Sequence, residues 1–109
     1  RVIVDPSAAS FIEVLRRAGF AVVRANNDVS DGIRVTADLL RQRRIVLCDT
    51  CRDCLREMAL YCWDEKAGKD APKKDHDHAM DEMRYFAMDL TGGEKGGFAA
   101  VSVARGRYR

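Results

Sequence analysis

Two short apolar runs, Val2-Ile3-Val4 and Phe20-Ala21-Val22-Val23, flank a stretch of helical periodicity, and this pattern restricts the fold more than any other. Between them Ala8, Phe11, Ile12 and Leu15 recur at helical spacing, with Glu13, Arg16 and Arg17 left to face outward. Pro6 suits a first helical turn and Ser7 a cap, while Gly19 suits the end of the helix. Strand, helix and strand in this order make a βαβ unit, which requires parallel strands and a right-handed crossover. The predicted class is therefore α/β, built from parallel βαβ units.

Further along, Asn26-Asn27-Asp28 is a turn signal. Gly32 to Gln42 reads as a helix with Ile33, Thr36, Ala37 and Leu40 inward. Asn27 and the Asp31-Gly32 pair read as helix-start chemistry. Arg44-Ile45-Val46-Leu47 reads as a third strand, followed by a helix over Asp49 to Cys62 with Trp63 packed at its end. Residues 65–74 are polar and contain Gly68 and Pro72, as expected of a loop or short hairpin. The last helix is predicted from Asp77 to Leu90. The 109 residues fit one small domain, expected over 1–90. Residues 91–109 read as a glycine-rich linker with a short strand over Phe98–Val103 and a flexible basic end at Arg105, Arg107 and Arg109. A chain opening on Arg1, already inside a strand, is expected to be a fragment lacking earlier strands.

With 33% charged residues but a net charge of +2, the chain is not polybasic, although this balance allows a local basic patch. It has no apolar run long enough to span a bilayer, no signal-peptide pattern and no phosphate-binding loop of the G-x-x-x-x-G-K-[ST] type. Cys48, Cys51 and Cys54 fall in a C-x-x-C-x-x-C spacing, part of an iron–sulfur or zinc signature. Helical geometry separates Cys51 from Cys62 by roughly 16 Å along the axis, which argues against one shared site. Cys51, Cys54, Leu55, Met58 and Cys62 instead make an apolar stripe, so the thiols are predicted to be core residues in a reducing setting.

Chemistry concentrates in two places. The segment Asp75-His76-Asp77-His78-Ala79-Met80-Asp81 puts imidazoles and carboxylates at a helix start, with His78 and Asp81 on one face. Ala79, Met80, Met83, Phe86, Ala87 and Leu90 supply the opposite, core face. His78, Asp81 and Tyr85 are thus free either for metal or proton chemistry or to form an ordinary wet face; Asp75 or Asp77 suits a cap, and Arg84 suits an exposed pair with Asp81. Asp5 ends a parallel strand just before a helix, the rim where open α/β sheets place their sites. It meets Asp81 if the last helix crosses that rim. Lys73 and Lys74 precede the helix, placed either to touch a phosphate backbone or simply to stay hydrated.

These residues, read in order, resemble a known family. Val-Asp-Pro-Ser-Ala-Ala-Ser at 4–10, Arg-Arg-Ala-Gly-Phe at 16–20, and Ala-Asn-Asn-Asp-Val-Ser-Asp-Gly-Ile at 25–33 are followed by Cys51 and Glu57. Tyr61-Cys62-Trp63-Asp64, then Pro72-Lys73 leading into Asp77-His78-Ala79-Met80-Asp81-Glu82-Met83-Arg84-Tyr85, complete the set. Together they resemble the nuclease domain of the large subunit of tailed-phage terminases, over about residues 2–88. The resemblance implies a ribonuclease H-like fold, incomplete on its N-terminal side, and a metal-dependent endonuclease that cuts concatemeric double-stranded DNA during packaging.

It further implies two Mg2+ or Mn2+ ions in the complete site, with Asp5 and Asp81 at two acidic positions and His78 as ligand or as orienter of water or phosphate. Terminase small subunit and portal are the implied partners of the intact protein, in the cytoplasm of an infected or lysogenic bacterial host. The family's first metal-binding aspartate and its packaging ATPase are not found in these residues, so the isolated chain is expected to be nearly inactive. Three other readings make different demands. A non-catalytic DNA-contacting or assembly module needs no metal, a cysteine-based metal module needs converging thiolates, and an unrelated receiver-like domain needs neither His78 nor Asp81.

Overall fold

A computed structural model of the chain describes residues 1–68 and 71–92. Its elements are β1 (Val2–Val4), α1 (Ala9–Arg17), β2 (Val22–Arg24), α2 (Val29–Arg41), α3 (Arg52–Leu60) and α4 (His78–Gly92). The strands pair in parallel, with Val2 opposite Val22, Ile3 opposite Val23 and Val4 opposite Arg24. The expected strand–helix–strand unit is present, shifted by one or two residues. Ile3 and Val4 are buried from the sheet side and Ile12, 1% exposed, from α1.

The start of α1 differs from the Ser7 cap expected. Pro6 and Ser7 form a turn, Ala8 is the capping position without a side-chain bond, and the Ser7 hydroxyl donates to Asp5 instead. Gly19 ends the helix as expected, at φ 91°, a left-handed conformation that glycine adopts without penalty. Phe11, predicted inward, is exposed, as is Phe20 just before β2.

The largest correction concerns 44–47, which form no strand. The Arg43 amide donates to Leu40 O, and the Arg44 and Ile45 amides both donate to Leu39 O. Those donors satisfy the last carbonyls of α2 and are unavailable to a sheet. Val46 is left 77% exposed. The apolar run therefore reports proximity to the core without strand pairing.

α2 starts earlier than expected, at Val29, because Asp28 caps it by accepting from Asp31 N at 2.8 Å. Its buried residues are Gly32, Thr36 and Leu39, with Ile33, Ala37 and Leu40 half-buried beside them. These pack against Ala79, Met80, Met83, Arg84 and Ala87 of α4. α3 is shorter than expected, and its apolar stripe is not its packing face: Leu55, Met58 and Cys62 are exposed, and Glu57 is its buried residue. Cys48 is also exposed while Cys51 and Cys54 are half-buried, so the core-thiol expectation fails for two of the four. The segment after α3 is a narrow hairpin-like turn, with Asp64 N donating to Ala71 O at 2.7 Å and Lys73 N to Cys62 O at 2.9 Å. Trp63 bridges Pro72 there and is exposed, unlike the packed position expected. The linker, strand and basic end expected beyond Gly92 lie outside the described residues.

Candidate active site

Asp5 occupies the position immediately after β1, and both oxygens of its carboxylate accept hydrogen bonds. Oδ1 accepts from Ser7 N at 2.8 Å and from Ser7 Oγ at 2.7 Å. Oδ2 accepts from Tyr85 Oη at 2.9 Å, across eighty positions of sequence. The Ser7 amide, then the Ser7 hydroxyl, hold the carboxyl below its ordinary value of 3.8; partial burial opposes them, and Tyr85 and the Arg84 charge add to the lowering. Burial first, then the hydrogen bond to Asp5, push the Tyr85 hydroxyl well above its ordinary range, so it remains a donor at neutral pH.

Asp81 lies one helical turn before Tyr85 on α4, and its charge is felt at Tyr85 together with that of Asp5. Its Oδ1 accepts from Arg84 Nη2 at 2.6 Å. The expected i,i+3 pair with Asp81 is present, but Arg84 is only 5% exposed and belongs to the packing face of α4. Burial alone would lower its pKa, but the bond to Asp81 and the charge of that carboxylate raise it, so the guanidinium is charged. Its Nε and Nη1 are buried without a hydrogen-bond partner among the described residues, as is Tyr61 Oη. Adjacent residues on α4 thus hold the two acidic candidates, Arg84 on Asp81 and Tyr85 on Asp5.

A third carboxylate acts at the start of α4. Glu57, 4% exposed, accepts from Ala79 N at 2.7 Å and Met80 N at 3.4 Å. The cap expected from Asp75 or Asp77 is supplied in this way from α3. Sequence offered a faint signal for it, since an acidic residue amid the Cys54, Leu55 and Met58 stripe is out of place unless it answers donors.

His78 is the first residue of α4, exposed, on the same side of the helix as Asp81. Lys73 and Lys74 are exposed on the approach to that helix. Asp5, Asp81 and Tyr85 are therefore brought to one region, and His78 lies one helical turn before Asp81. As donors, the two carboxylates are hard oxygen ligands suited to Mg2+ or Mn2+. In number they fall short: among the described residues no group of three His, Cys, Asp or Glu side chains is placed to hold an ion. The four cysteines belong to no such group either. Burial, then the neighbouring Cys51, push the Cys54 thiol pKa up, away from the thiolate that binds metal.

No described helix is long and apolar enough to cross a membrane. The family of terminase RNaseH-like domains matches residues 6–105. Among solved structures, the large terminase of a thermophilic bacteriophage in complex with ADP is 49% identical, with a TM-score of 0.80 over 84% of this chain and 24% of that one. The same phage's large terminase in complex with ATP-gamma-S is 52% identical, with a TM-score of 0.76 over 79% of this chain and 22% of that one. No curated protein matches the chain. The chain spans about a quarter of the length of the terminases it resembles (24% in the ADP complex). At this identity, and over this much of its own length, the chain belongs to the terminase RNaseH-like domain family, and its parallel α/β unit is part of that ribonuclease H-like fold.

Proposed function

We propose that the chain is the nuclease portion of a phage terminase large subunit and contributes part of a metal-dependent site that cuts double-stranded DNA during genome packaging. The observation that carries this reading is that Tyr85, which donates to the strand-end Asp5, also lies within the field of the helix carboxylate Asp81, itself paired with Arg84. Asp5 and Asp81 would be ligands, and His78 would be a further ligand or would orient the attacking water. Paired divalent ions in a completed set supply an activated water and a stabilised leaving oxygen. Tyr85 orients the Asp5 carboxylate and helps keep it ionised, and Arg84 orients Asp81, while Lys73 and Lys74 meet the phosphate backbone. Remaining donors come from other parts of the parent, as do contacts with small subunit and portal in the bacterial host cytoplasm.

The test uses plasmid DNA and Mn2+. The 109-residue chain alone is expected to cut little. A chimera of the thermophilic phage's large terminase carrying this chain in place of the matching segment is expected to cut, and to lose cutting on Asp5→Asn or Asp81→Ala. Cutting that survives Asp81→Ala overturns the site assignment. A chimera that stays inert while the unsubstituted terminase cuts overturns the nuclease reading. A second reading, a DNA-contacting module without catalysis, is favoured by the incomplete donor set. It predicts DNA binding indifferent to chelator and to Asp5→Asn.

A further inference from the structure

An open pocket of about 320 Å³ adjoins the Asp5–Tyr85 pair and is lined in part by Arg24, Asn26, Tyr85, Arg1 and Asp89. Arg24 is the last residue of β2 and pairs in register with Val4, so its Cα lies beside the strand end that carries Asp5. Its Nη1 donates to Pro6 O at 3.2 Å, which fixes the guanidinium over the turn that follows Asp5. This contact uses one of the five donors of the group. Arg1 shares the pocket but is paired with Asp89, so its charge is already answered. Arg24 forms no carboxylate pair among the described residues, and Asn26 and Tyr85 share the pocket wall with it.

We infer that Arg24 is a phosphate-binding residue, contacting the backbone of the DNA duplex that lies across the Asp5 rim. This rests on the reading that the chain acts on DNA. One feature favours a nucleic acid phosphate over a small acidic metabolite: the pocket is open, so a ligand held at Arg24 can extend beyond it. Arginine also presents its donors in a planar fork suited to phosphate oxygens.

The test is duplex binding by the whole chain in chelator, measured by fluorescence anisotropy over about 50 to 200 mM salt. Arg24→Gln keeps a donor for Pro6 O and removes the charge. It is expected to weaken binding roughly five- to tenfold and to reduce the slope of log K against log salt by about 1. Arg24→Lys should restore the slope. An unchanged slope in Arg24→Gln overturns the inference, whether or not affinity falls, because a neutral contact would leave it unaltered. Failure of the unsubstituted chain to bind duplex overturns the DNA reading itself, and this inference with it.

Discussion

Gly32 and Arg84 show how closely one residue can constrain another. A Cβ on Gly32 would lie 3.2 Å from Arg84 Cδ and 3.3 Å from Arg84 Nη1. Gly32→Ala should gain up to about 1 kcal/mol in helix propensity. Because Arg84 is buried, the overpacking cost of about 1–3 kcal/mol should exceed that gain and lower stability in urea unfolding. Arg84→Met tests the converse. It removes one partner of the Arg84–Asp81 pair and leaves a carboxylate only 34% exposed without that donor, so the unfolding free energy should fall, by less than the roughly 3–5 kcal/mol of a fully buried pair. Tyr85→Phe removes the donor to Asp5 Oδ2. The folded pKa of Asp5 is lowered, so its stabilising contribution is present above 3.8 and is lost as pH falls through the folded value. Without the Tyr85 hydroxyl that acid loss should begin at a higher pH, as a Tm-against-pH series would reveal. Sequence placed Asp5, Asp81 and Tyr85 correctly on strand end and helix face, since periodicity alone decides such faces. It did not find the burial of Arg84, which exists only because a glycine on another helix leaves room for it.

At the level of elements, α4 is anchored by a side chain that is not its own. Glu57→Ala should cost about 1–2 kcal/mol, the range of a lost cap, and should speed hydrogen exchange at the Ala79 and Met80 amides. Glu57→Gln, which keeps an acceptor oxygen, should lose less. A larger loss in Gln than in Ala would contradict the capping role. The same level explains why β1, β2 and the existence of each helix could be read from the sequence while 44–47 could not. Hydrophobic runs announce burial, but whether they become strands depends on a neighbouring edge. Here the amides of Arg44 and Ile45 are consumed by the end of α2. The cysteine stripe failed for a related reason: α3 touches α4 through Glu57, leaving the stripe at the margin of the core.

Over the whole molecule, the described sheet has two strands of three residues, and large apolar side chains remain uncovered at Phe11, Val14, Phe20, Leu60 and Trp63. A chain with this much exposed apolar surface should associate as concentration rises. Sedimentation velocity should show the weight-average coefficient increasing with concentration, and Phe11→Ser with Val14→Ser should flatten that increase. No increase in the parent chain would argue that these side chains are too dispersed to act together. The hydrogen bond from Tyr85 to Asp5 also has a temporal meaning. It closes a loop of eighty positions, a step whose entropy cost grows slowly with length but whose non-local character slows folding. Strand, first helix and second strand have their partners early in synthesis, whereas Asp5 must wait for α4. A chain that ended before residue 85 would keep the Ser7 bonds to Asp5 Oδ1 but lack the donor to Oδ2, so the second half of that clasp arrives only with α4.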